Sequence, residues 1–376
     1  MAGRIGNPFV LTGYVSPEYF CDRKAETEKI LDCFHNGQNV TLTSPRRMGK
    51  TGLIHHVFRT IESLYPERKT IYIDISPTES LSDFAKVFAS SVLSQMDSDP
   101  MKAMKKILRF VKGIRPNLSQ DEFTGKLKVG VDIAPGEEVT TINQFFEYLE
   151  RSGKECHIAF DEFQKIASYP ETALEAILKS NIQNCHNVTF IFSGSEAHIL
   201  GEMFLSLDRL FYQGATNLNL EAICEESYYD FATGFFTEQG RPLPKEVFDW
   251  IYSSYEGHTW YIQKILNSVY GQKDSRIDKR SVNDAINTVL SENEYYYQGI
   301  LRSYTQGQAK LMKAIAKEGV VKEIMSGAFI SSHKLTATSS VKAALRRLID
   351  DEIVYSSEEG YSIYDRFFGQ WLRQTY

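Results

Sequence analysis

The chain has few cysteines, and they form none of the usual functional patterns. Its five cysteines, an odd number, include no CxxC pair. This spacing argues against a disulfide framework and against a cysteine metal site, and it fits free thiols in a reducing compartment. We therefore expect the cysteines to be small core residues. They are Cys21, Cys33, Cys156, Cys185 and Cys224.

Long apolar runs are also missing. No segment approaches the roughly 20 apolar residues of a membrane span, and residues 1–14 lack the apolar stretch of a signal peptide. The net charge of −6 argues against a protein that coats nucleic acid. With 376 residues, 42% hydrophobic and 24% charged, the chain can form two or three globular domains. We expect a cytoplasmic protein with no membrane partner.

The segment TSPRRMGKT, from Thr43 to Thr51, is the most informative in the chain. It follows apolar residues 40–42 and precedes residues 52–58, whose spacing is helical. A strand, loop and helix of this kind are typical of the phosphate-binding loop of P-loop NTPases, because loop and helix N–H groups point at phosphate oxygens. We predict that Lys50 reaches the β- and γ-phosphates and that Thr51 ligates Mg²⁺. The predicted nucleotide-binding residues here are Ser44, Pro45, Arg46, Arg47, Met48, Gly49, Lys50, Thr51 and Gly52.

The phosphate-binding segment departs from the usual pattern at its first position. The pattern G-x-x-x-x-G-K-[ST] begins with glycine, whereas this chain has Ser44 there. Serine can line such a loop, but a positive φ at this position would cost serine more than glycine. Arg46 and Arg47 either add positive charge near the phosphates or are solvated loop side chains.

An acidic pair follows a second apolar segment, in the sequence HIAFDEF. The segment predicts a buried strand that ends at Asp161 and Glu162, as in a Walker B motif. Two carboxylates beside a polyphosphate would repel it without a metal ion, so Mg²⁺ is implied as cofactor and ATP as substrate. Asp161 would hold the metal and Glu162 would polarise the attacking water, which makes Lys50, Asp161 and Glu162 the predicted catalytic residues. The alternative is that the acidic pair caps a helix.

The alternation of helices and short apolar strands predicts an α/β fold, a three-layer P-loop core with a parallel sheet. Residues 112–140 are rich in Gly and Pro, and 126–133 alternate polar and apolar residues, which indicates a hairpin-like insertion. Helices followed by two short strands at the C-terminus are typical of a winged helix-turn-helix.

Predicted strands are 69–75, 156–160 and 187–192, with a long helix over 80–111. Predicted domains are an ATPase core (1–220), a helical lid (221–300) and a winged helix (301–376), with winged-helix helices at 305–318 and 338–350.

Taken together, these motifs resemble the archaeal-type ATPase family of the STAND branch of AAA+ proteins. The matching segments are Phe20 with Arg23 and Glu26, then SPRRMGKT, FDEF, FSGS, GHTWY and YSIYDRFFGQWLR. The resemblance implies an ATP-binding core, a helical lid and a C-terminal winged helix, with Phe20 and Arg23 on the adenine side. ATP rather than GTP follows from the resemblance, and the chain has no N/T-K-x-D guanine motif. The chain departs from the family at Ser44 and at Thr259, where the family favours Pro after the lid turn.

Four further residues, at three places in the sequence, have both a functional and a structural interpretation. In ATPases of the AAA+ type a polar residue after the third strand senses the γ-phosphate, and Ser193 or Ser195 fits that place; the alternative is a plain turn. Arg209 is a candidate arginine finger or forms an ordinary salt bridge. His258 begins a helix after Gly257 and could reach the nucleotide from the lid, or it could be structural.

The partner of the winged helix is left open between DNA and protein. Residues 301–376 contain 11 Lys and Arg against 8 Asp and Glu, a net charge of +3. Lys334, Lys342, Arg346 and Arg347 could meet phosphates, whereas acidic residues crowd the wing, which argues against minor-groove binding. Three functions follow: a nucleotide-driven molecular switch that hydrolyses ATP, a nucleotide-responsive DNA-binding regulator, or an ATP binder without turnover. The acidic residues are Asp350, Asp351, Glu352, Glu358 and Glu359.

Overall fold

The computed structural model describes residues 6–96, 105, 111, 113–120, 127–206, 209–272, 276–357 and 359–376. Within them the chain divides into two compact units, residues 12–228 and residues 6–11 with 229–376. None of the described helices combines the length and apolar character that a membrane crossing requires. The boundaries of the three predicted domains stay a prediction.

The secondary structure elements are numbered along the chain. The strands are β1 (Val40–Thr43), β2 (Lys69–Asp74), β3 (Ile114–Gln120), β4 (Leu127–Ile133), β5 (Cys156–Asp161), β6 (Val188–Gly194), β7 (Thr216–Asn219), β8 (Val354–Ser357) and β9 (Gly360–Ile363). The helices of the first unit are α1 (Lys24–His35), α2 (Lys50–Leu64), α3 (Leu81–Met96), α4 (Glu138–Arg151), α5 (Leu174–Asn184) and α6 (Ala197–Leu205). Helix α7 (Glu225–Glu238) contains the division between the units. The later helices are α8 (Lys245–Ser254), α9 (Thr259–Gly271), α10 (Lys279–Glu292), α11 (Glu294–Ser303), α12 (Gln306–Glu318), α13 (Gly327–Ser332), α14 (Thr338–Asp350) and α15 (Arg366–Thr375).

A five-stranded sheet forms the centre of the first unit. Its order is β2-β5-β6-β1-β7, and all its pairings are parallel. Strands β5 and β6 are buried along their whole length, as expected for strands covered on both faces. The predicted α/β fold with a parallel sheet is confirmed. The edge strand β7 was not predicted, because only two of its four residues, Thr216 and Leu218, are partly buried and its apolar signal is weak.

Two apolar clusters lie on opposite faces of this sheet. In β6, Phe190 and Phe192 belong to the larger cluster and Ile191 to the smaller one, since successive side chains of a strand point to opposite faces. The larger cluster includes residues of α3, α4 and α5, and the smaller one includes residues of α1 and α2. Helices on both faces make the unit a three-layer structure. This arrangement brings the ends of β1, β5 and β6 to one edge of the sheet, where the predicted phosphate loop, the acidic pair and Ser193 lie.

The segment 112–140 contains an antiparallel pair. Strands β3 and β4 pair from Ile114 opposite Ile133 to Gln120 opposite Leu127. Residue Lys126, at the start of the predicted alternation, lies outside the described residues. The helix predicted over 80–111 is observed as α3, which ends at Met96, and most of 97–112 lies outside the described residues.

The C-terminal part of the second unit is a winged helix. Helix α12 begins with a capping box in which Thr305 and Gln308 satisfy each other's backbone N–H groups. Strands β8 and β9 form the antiparallel wing, and Val321 bridges Tyr361 of β9. The two helices predicted at 305–318 and 338–350 correspond to α12 and α14. The short helix α13 between them was missed, because six residues are too few to show a helical period.

The cysteines are free, and four of the five are buried. Burial raises the pKa of Cys156 and Cys185 to about 12, which keeps both thiols protonated. Cys224 is exposed, so the expectation that all five are core residues is wrong for this residue.

Candidate functional site

The phosphate-loop segment, residues 44–49, connects β1 to α2. Its left-handed residues are Arg47, with φ 69°, and Gly49, with φ 98°, which directly precedes α2. Ser44 is not among the described residues with positive φ, so the backbone does not require glycine at this position. Ser44 and Met48 are buried, whereas Arg46 and Arg47 are exposed. The serine therefore fits the loop without conformational cost.

The ammonium group of Lys50 lies inside the loop. Its Nζ donates to the Ser44 carbonyl at 2.8 Å, to Ser44 Oγ at 3.3 Å and to the Pro45 carbonyl at 3.3 Å. Burial lowers the pKa of Lys50, while the carboxylates of Glu162 and Asp161 act in the opposite direction. The ammonium is thus held where it could meet an anionic group bound in the loop.

Two residues predicted as metal ligands are in direct contact. Thr51 Oγ1, in the first turn of α2, donates to Asp161 Oδ2 at 2.7 Å, at the end of β5. Tyr72 donates to the same oxygen through its hydroxyl at 2.7 Å. Burial and the negative charge of Asp161 raise the pKa of Tyr72, so its hydroxyl remains a donor. The two oxygens of Thr51 and Asp161 form a hard donor pair, the kind that Mg²⁺ prefers.

The described residues hold no cluster of three or more His, Cys, Asp or Glu side chains around a potential metal position. Mg²⁺ commonly keeps several waters and is bound by one or two protein groups together with substrate phosphates. The donor pair of Thr51 and Asp161 therefore fits a metal ion that arrives with a nucleotide, and it does not fit a resident structural metal.

Glu162 is held by two donors at the same edge. It directly follows β5 with a left-handed φ of 58°. Its Oε2 accepts from Gln164 Nε2 at 2.6 Å and from Ser195 Oγ at 2.8 Å. Of the two serines considered at the end of β6, Ser195 thus contacts the acidic pair, whereas the hydroxyl of Ser193 is buried without a hydrogen bond.

The N-terminal segment packs on the phosphate loop. Arg23 is buried, and its guanidinium donates to Glu26 Oε1 at 2.8 Å and to the Met48 carbonyl at 3.2 Å. The ring of Phe20 stacks on His56 with a centroid separation of 4.4 Å. A Cβ atom at Gly52 would lie 3.4 Å from the Phe20 ring, an ordinary van der Waals distance, so the ring lies directly beside the first turn of α2. Phe20 and Arg23 therefore lie next to the loop and the first turn of α2, and their place on the adenine side stays a prediction.

The other two predicted residues are Arg209 and His258. Arg209 has Glu175 at 3.8 Å and Glu202 at 4.0 Å, which agrees with the salt-bridge interpretation. His258 is the N-cap residue of α9 in the second unit, and its role toward a nucleotide stays a prediction.

Two contacts of the site were not predicted from the sequence. Tyr72 lies in a segment that carries no motif, and Gln164 directly follows the motif HIAFDEF without being part of it. Tyr72 could have been found from the sheet order. Strand β2 pairs with β5 so that Asp74 lies beside Asp161, and Tyr72, two residues before Asp74, points to the same face of the sheet as Asp74. Gln164 could have been found only from the contact itself.

Comparisons with known proteins support the fold. Residues 295–374 match the family model "Probable winged helix domain". The structure is similar to a Walker-type ATPase of Pyrococcus abyssi, with a TM-score of 0.65, 16% identity and coverage of 97% of this chain and 99% of that chain. It is also similar to the ORC2 protein of Aeropyrum pernix in ADPNP–ADP complexes, with a TM-score of 0.61, 14% identity and coverage of 98% and 95%.

The ADP form of the Aeropyrum pernix ORC2 protein gives a TM-score of 0.54 at 12% identity, with coverage of 98% of this chain and 97% of that chain. A search of curated protein sequences gave no match. At these identities the similarity concerns the fold alone. The chain therefore has the fold of P-loop ATPases of the Walker type, with a C-terminal winged helix domain.

Proposed function

We propose that the chain binds ATP with Mg²⁺, hydrolyses it, and uses the nucleotide state as a molecular switch. The observation that carries this proposal is the 2.7 Å contact between Thr51 and Asp161. It joins the helix after the phosphate loop to the end of β5, which is where a nucleotide-bound metal needs its two protein oxygens. When bound there, Mg²⁺ would neutralise charge on the phosphates.

Residues of the chain would bind the nucleotide and orient the attacking water. Backbone N–H groups of the loop and of the start of α2 would bind phosphate oxygens. The Lys50 ammonium would neutralise charge on the β- and γ-phosphates, and Glu162 would accept a hydrogen bond from the attacking water. Phe20 and Arg23 would lie toward the adenine, which their packing against Gly52 and Met48 supports.

Phosphate release from ATP by the purified protein, with and without Mg²⁺, tests this function. We expect turnover that requires Mg²⁺ and stops when EDTA removes the metal. ATP binding without turnover under any of these conditions would favour the non-hydrolysing ATP binder. Absence of both binding and turnover would contradict the proposal as a whole.

A cluster of contacts in the second unit supports the switch. The turn before α9 contains Glu256, with a left-handed φ of 50°, and its carboxylate accepts two bonds from Arg366 at 2.8 and 2.6 Å. The Tyr255 hydroxyl donates to Gln370 Oε1 at 2.6 Å. The ring of Phe367 packs on those of Tyr255, Trp260 and Tyr261, with centroids 5.1 to 6.1 Å apart. The turn that carries His258 is thereby joined to α15 of the winged helix domain.

We predict that this joint transmits the nucleotide state to α15. In the wild type, an ATP analogue should change the hydrogen exchange of the amides at the start of α15, where the Arg366 N–H donates to the Tyr261 hydroxyl at 3.1 Å. Arg366→Ala should remove this response without abolishing ATP binding. Arg302→Ala, an exposed change in α11 that removes the same charge, is the matched control and should keep it. An unchanged response in Arg366→Ala would contradict the coupling.

The partner of the winged helix is proposed to be DNA or protein, and one surface favours a test with DNA. Helix α14 buries Val341, Leu345 and Leu348 and exposes Lys342 and Arg346 on its other side. Arg347 is less available for a phosphate contact, because its guanidinium pairs with the Asp351 carboxylate at 2.8 Å. These two cations, which pair with no side chain in the described part of the chain, lie on one helix face and could meet a phosphate backbone.

If α14 binds DNA, duplex affinity should fall steeply as salt rises. Replacing Arg346 with alanine should weaken binding to all sequences and reduce the salt slope by about 1, since one phosphate contact is lost. Arg302→Ala, in α11, serves as the control for net charge. Absence of binding to any duplex at low salt would assign the winged helix to a protein partner.

A further inference from the structure

Gln164 makes an unusual contact beside the acidic pair. It lies in the 3₁₀ turn Phe163–Ser168, directly after β5 and Glu162, and is only 5% exposed. Its Nε2 donates to Glu162 Oε2 at 2.6 Å and lies 3.4 Å from Ser195 Oγ. Ser195 donates to the same carboxylate oxygen at 2.8 Å. Glutamine, serine and carboxylate therefore form a closed group at the edge of the sheet.

The orientation of the Gln164 amide is fixed by its surroundings. Gly194, at the end of β6, approaches so closely that a Cβ atom there would lie 2.3 Å from Gln164 Oε1. This oxygen is buried and has no hydrogen-bond partner, which is unfavourable for an amide. Turning the amide over would place that oxygen against the Glu162 carboxylate, which is worse. The charge-assisted bond from Nε2 to Glu162 thus offsets the unpaired oxygen.

The two donors act on one oxygen of Glu162. Within the described residues, both side-chain hydrogen bonds to Glu162 end at Oε2, and Oε1 accepts none. A carboxylate held through one oxygen has a defined plane, and its other oxygen presents its lone pairs in a fixed direction. Fixing the direction of a base relative to its substrate is a large part of its catalytic effect.

We infer that Gln164 is a positioning residue for ATP hydrolysis. Together with Ser195 it holds Glu162 Oε2, so that Oε1 faces the water that attacks the γ-phosphate. This inference rests on the proposed function, in which Glu162 orients that water. The competing interpretation is that Gln164 only fills the space beside Gly194. The two differ in one respect: a space-filling residue needs its volume, whereas a positioning residue needs its N–H donor.

Gln164→Met separates these interpretations, because methionine has a similar length and no N–H donor. We expect kcat for ATP hydrolysis to fall about 10-fold, as for loss of a hydrogen bond to a charged group, with KM for ATP unchanged. Ser195→Ala should act in the same direction and Ser195→Thr, which keeps the hydroxyl, should restore turnover. Gln183→Met, an exposed change in α5, is the matched control.

The decisive comparison is made in the Glu162→Gln background. If Gln164 acts through the Glu162 carboxylate, replacing Gln164 should have no further effect once that carboxylate is gone. The double variant Gln164→Met with Glu162→Gln should therefore turn over ATP as slowly as Glu162→Gln alone. A melting temperature for each variant shows that it is folded, and Ser195→Ala carries the test if Gln164→Met does not fold. Full kcat in folded Gln164→Met, or an equal loss in both backgrounds, would overturn the inference. If Glu162→Gln itself keeps full turnover, the assignment of Glu162 as the base fails, and if the wild type shows no turnover, the proposed function fails instead.

Discussion

Replacing Lys50 with alanine should nearly abolish Mg²⁺-dependent ATP hydrolysis, with a loss of about 100-fold or more. The change removes the one ammonium that the loop holds through the Ser44 and Pro45 oxygens. Without it, charge that develops on the transferring phosphate loses the ammonium that the loop holds in place. ATP affinity should fall as well, because the same group would meet phosphate in the ground state. Phosphate release and equilibrium ATP binding measure the two effects separately.

The control for Lys50→Ala is Lys29→Ala, an exposed lysine on α1 whose loss changes net charge equally. It should leave turnover and affinity unchanged. Melting temperatures of both variants test whether the fold survives. Turnover of folded Lys50→Ala at the wild-type rate would show that the loop is not the phosphate site.

Replacing Glu162 with glutamine should give the second large effect, a loss of turnover of about 100-fold or more with ATP binding retained. Glutamine keeps the size of the side chain and an oxygen that can accept from Gln164 and Ser195. It removes the negative charge that would draw a proton from the attacking water. Single-turnover phosphate release measures the chemical step, and labelled ATP at equilibrium measures binding.

The control for Glu162→Gln is Glu147→Gln, since Glu147 is an exposed residue of α4 that pairs with Arg151 on the same helix. It should hydrolyse ATP at the wild-type rate. The proposed assignment of the base is refuted by a Glu162→Gln protein that binds ATP and hydrolyses it normally.

The sequence was sufficient to predict those parts of the structure whose residue pattern lies within one short segment. The phosphate loop lies between an apolar strand and a helix with an apolar face, so residues 40–58 alone indicate its structure. The acidic pair follows a strand that is buried on both faces, and such strands are uniformly apolar. The wing was predicted for the same reason, since its two short strands flank a polar turn.

The contacts that complete the site depend on distant parts of the chain and were not predictable in this way. Tyr72 reaches Asp161 only because β2 pairs with β5 in one register, and a shift by one residue would point Tyr72 to the other face. Gln164 reaches Glu162 because β6 ends in a glycine at the point of contact. The backbone at Ser44 is a third case, since its φ depends on how the whole loop closes.

The contact of Arg23 with the Met48 carbonyl has a consequence for the rate at which a ligand can enter. Arg23 itself has a left-handed φ of 64° and is anchored by Glu26, so the guanidinium is a rigid support. The peptide that follows Met48 is therefore kept from rotating. A loop that is already ordered loses less conformational entropy on association, and a larger fraction of encounters finds it in the binding-competent shape.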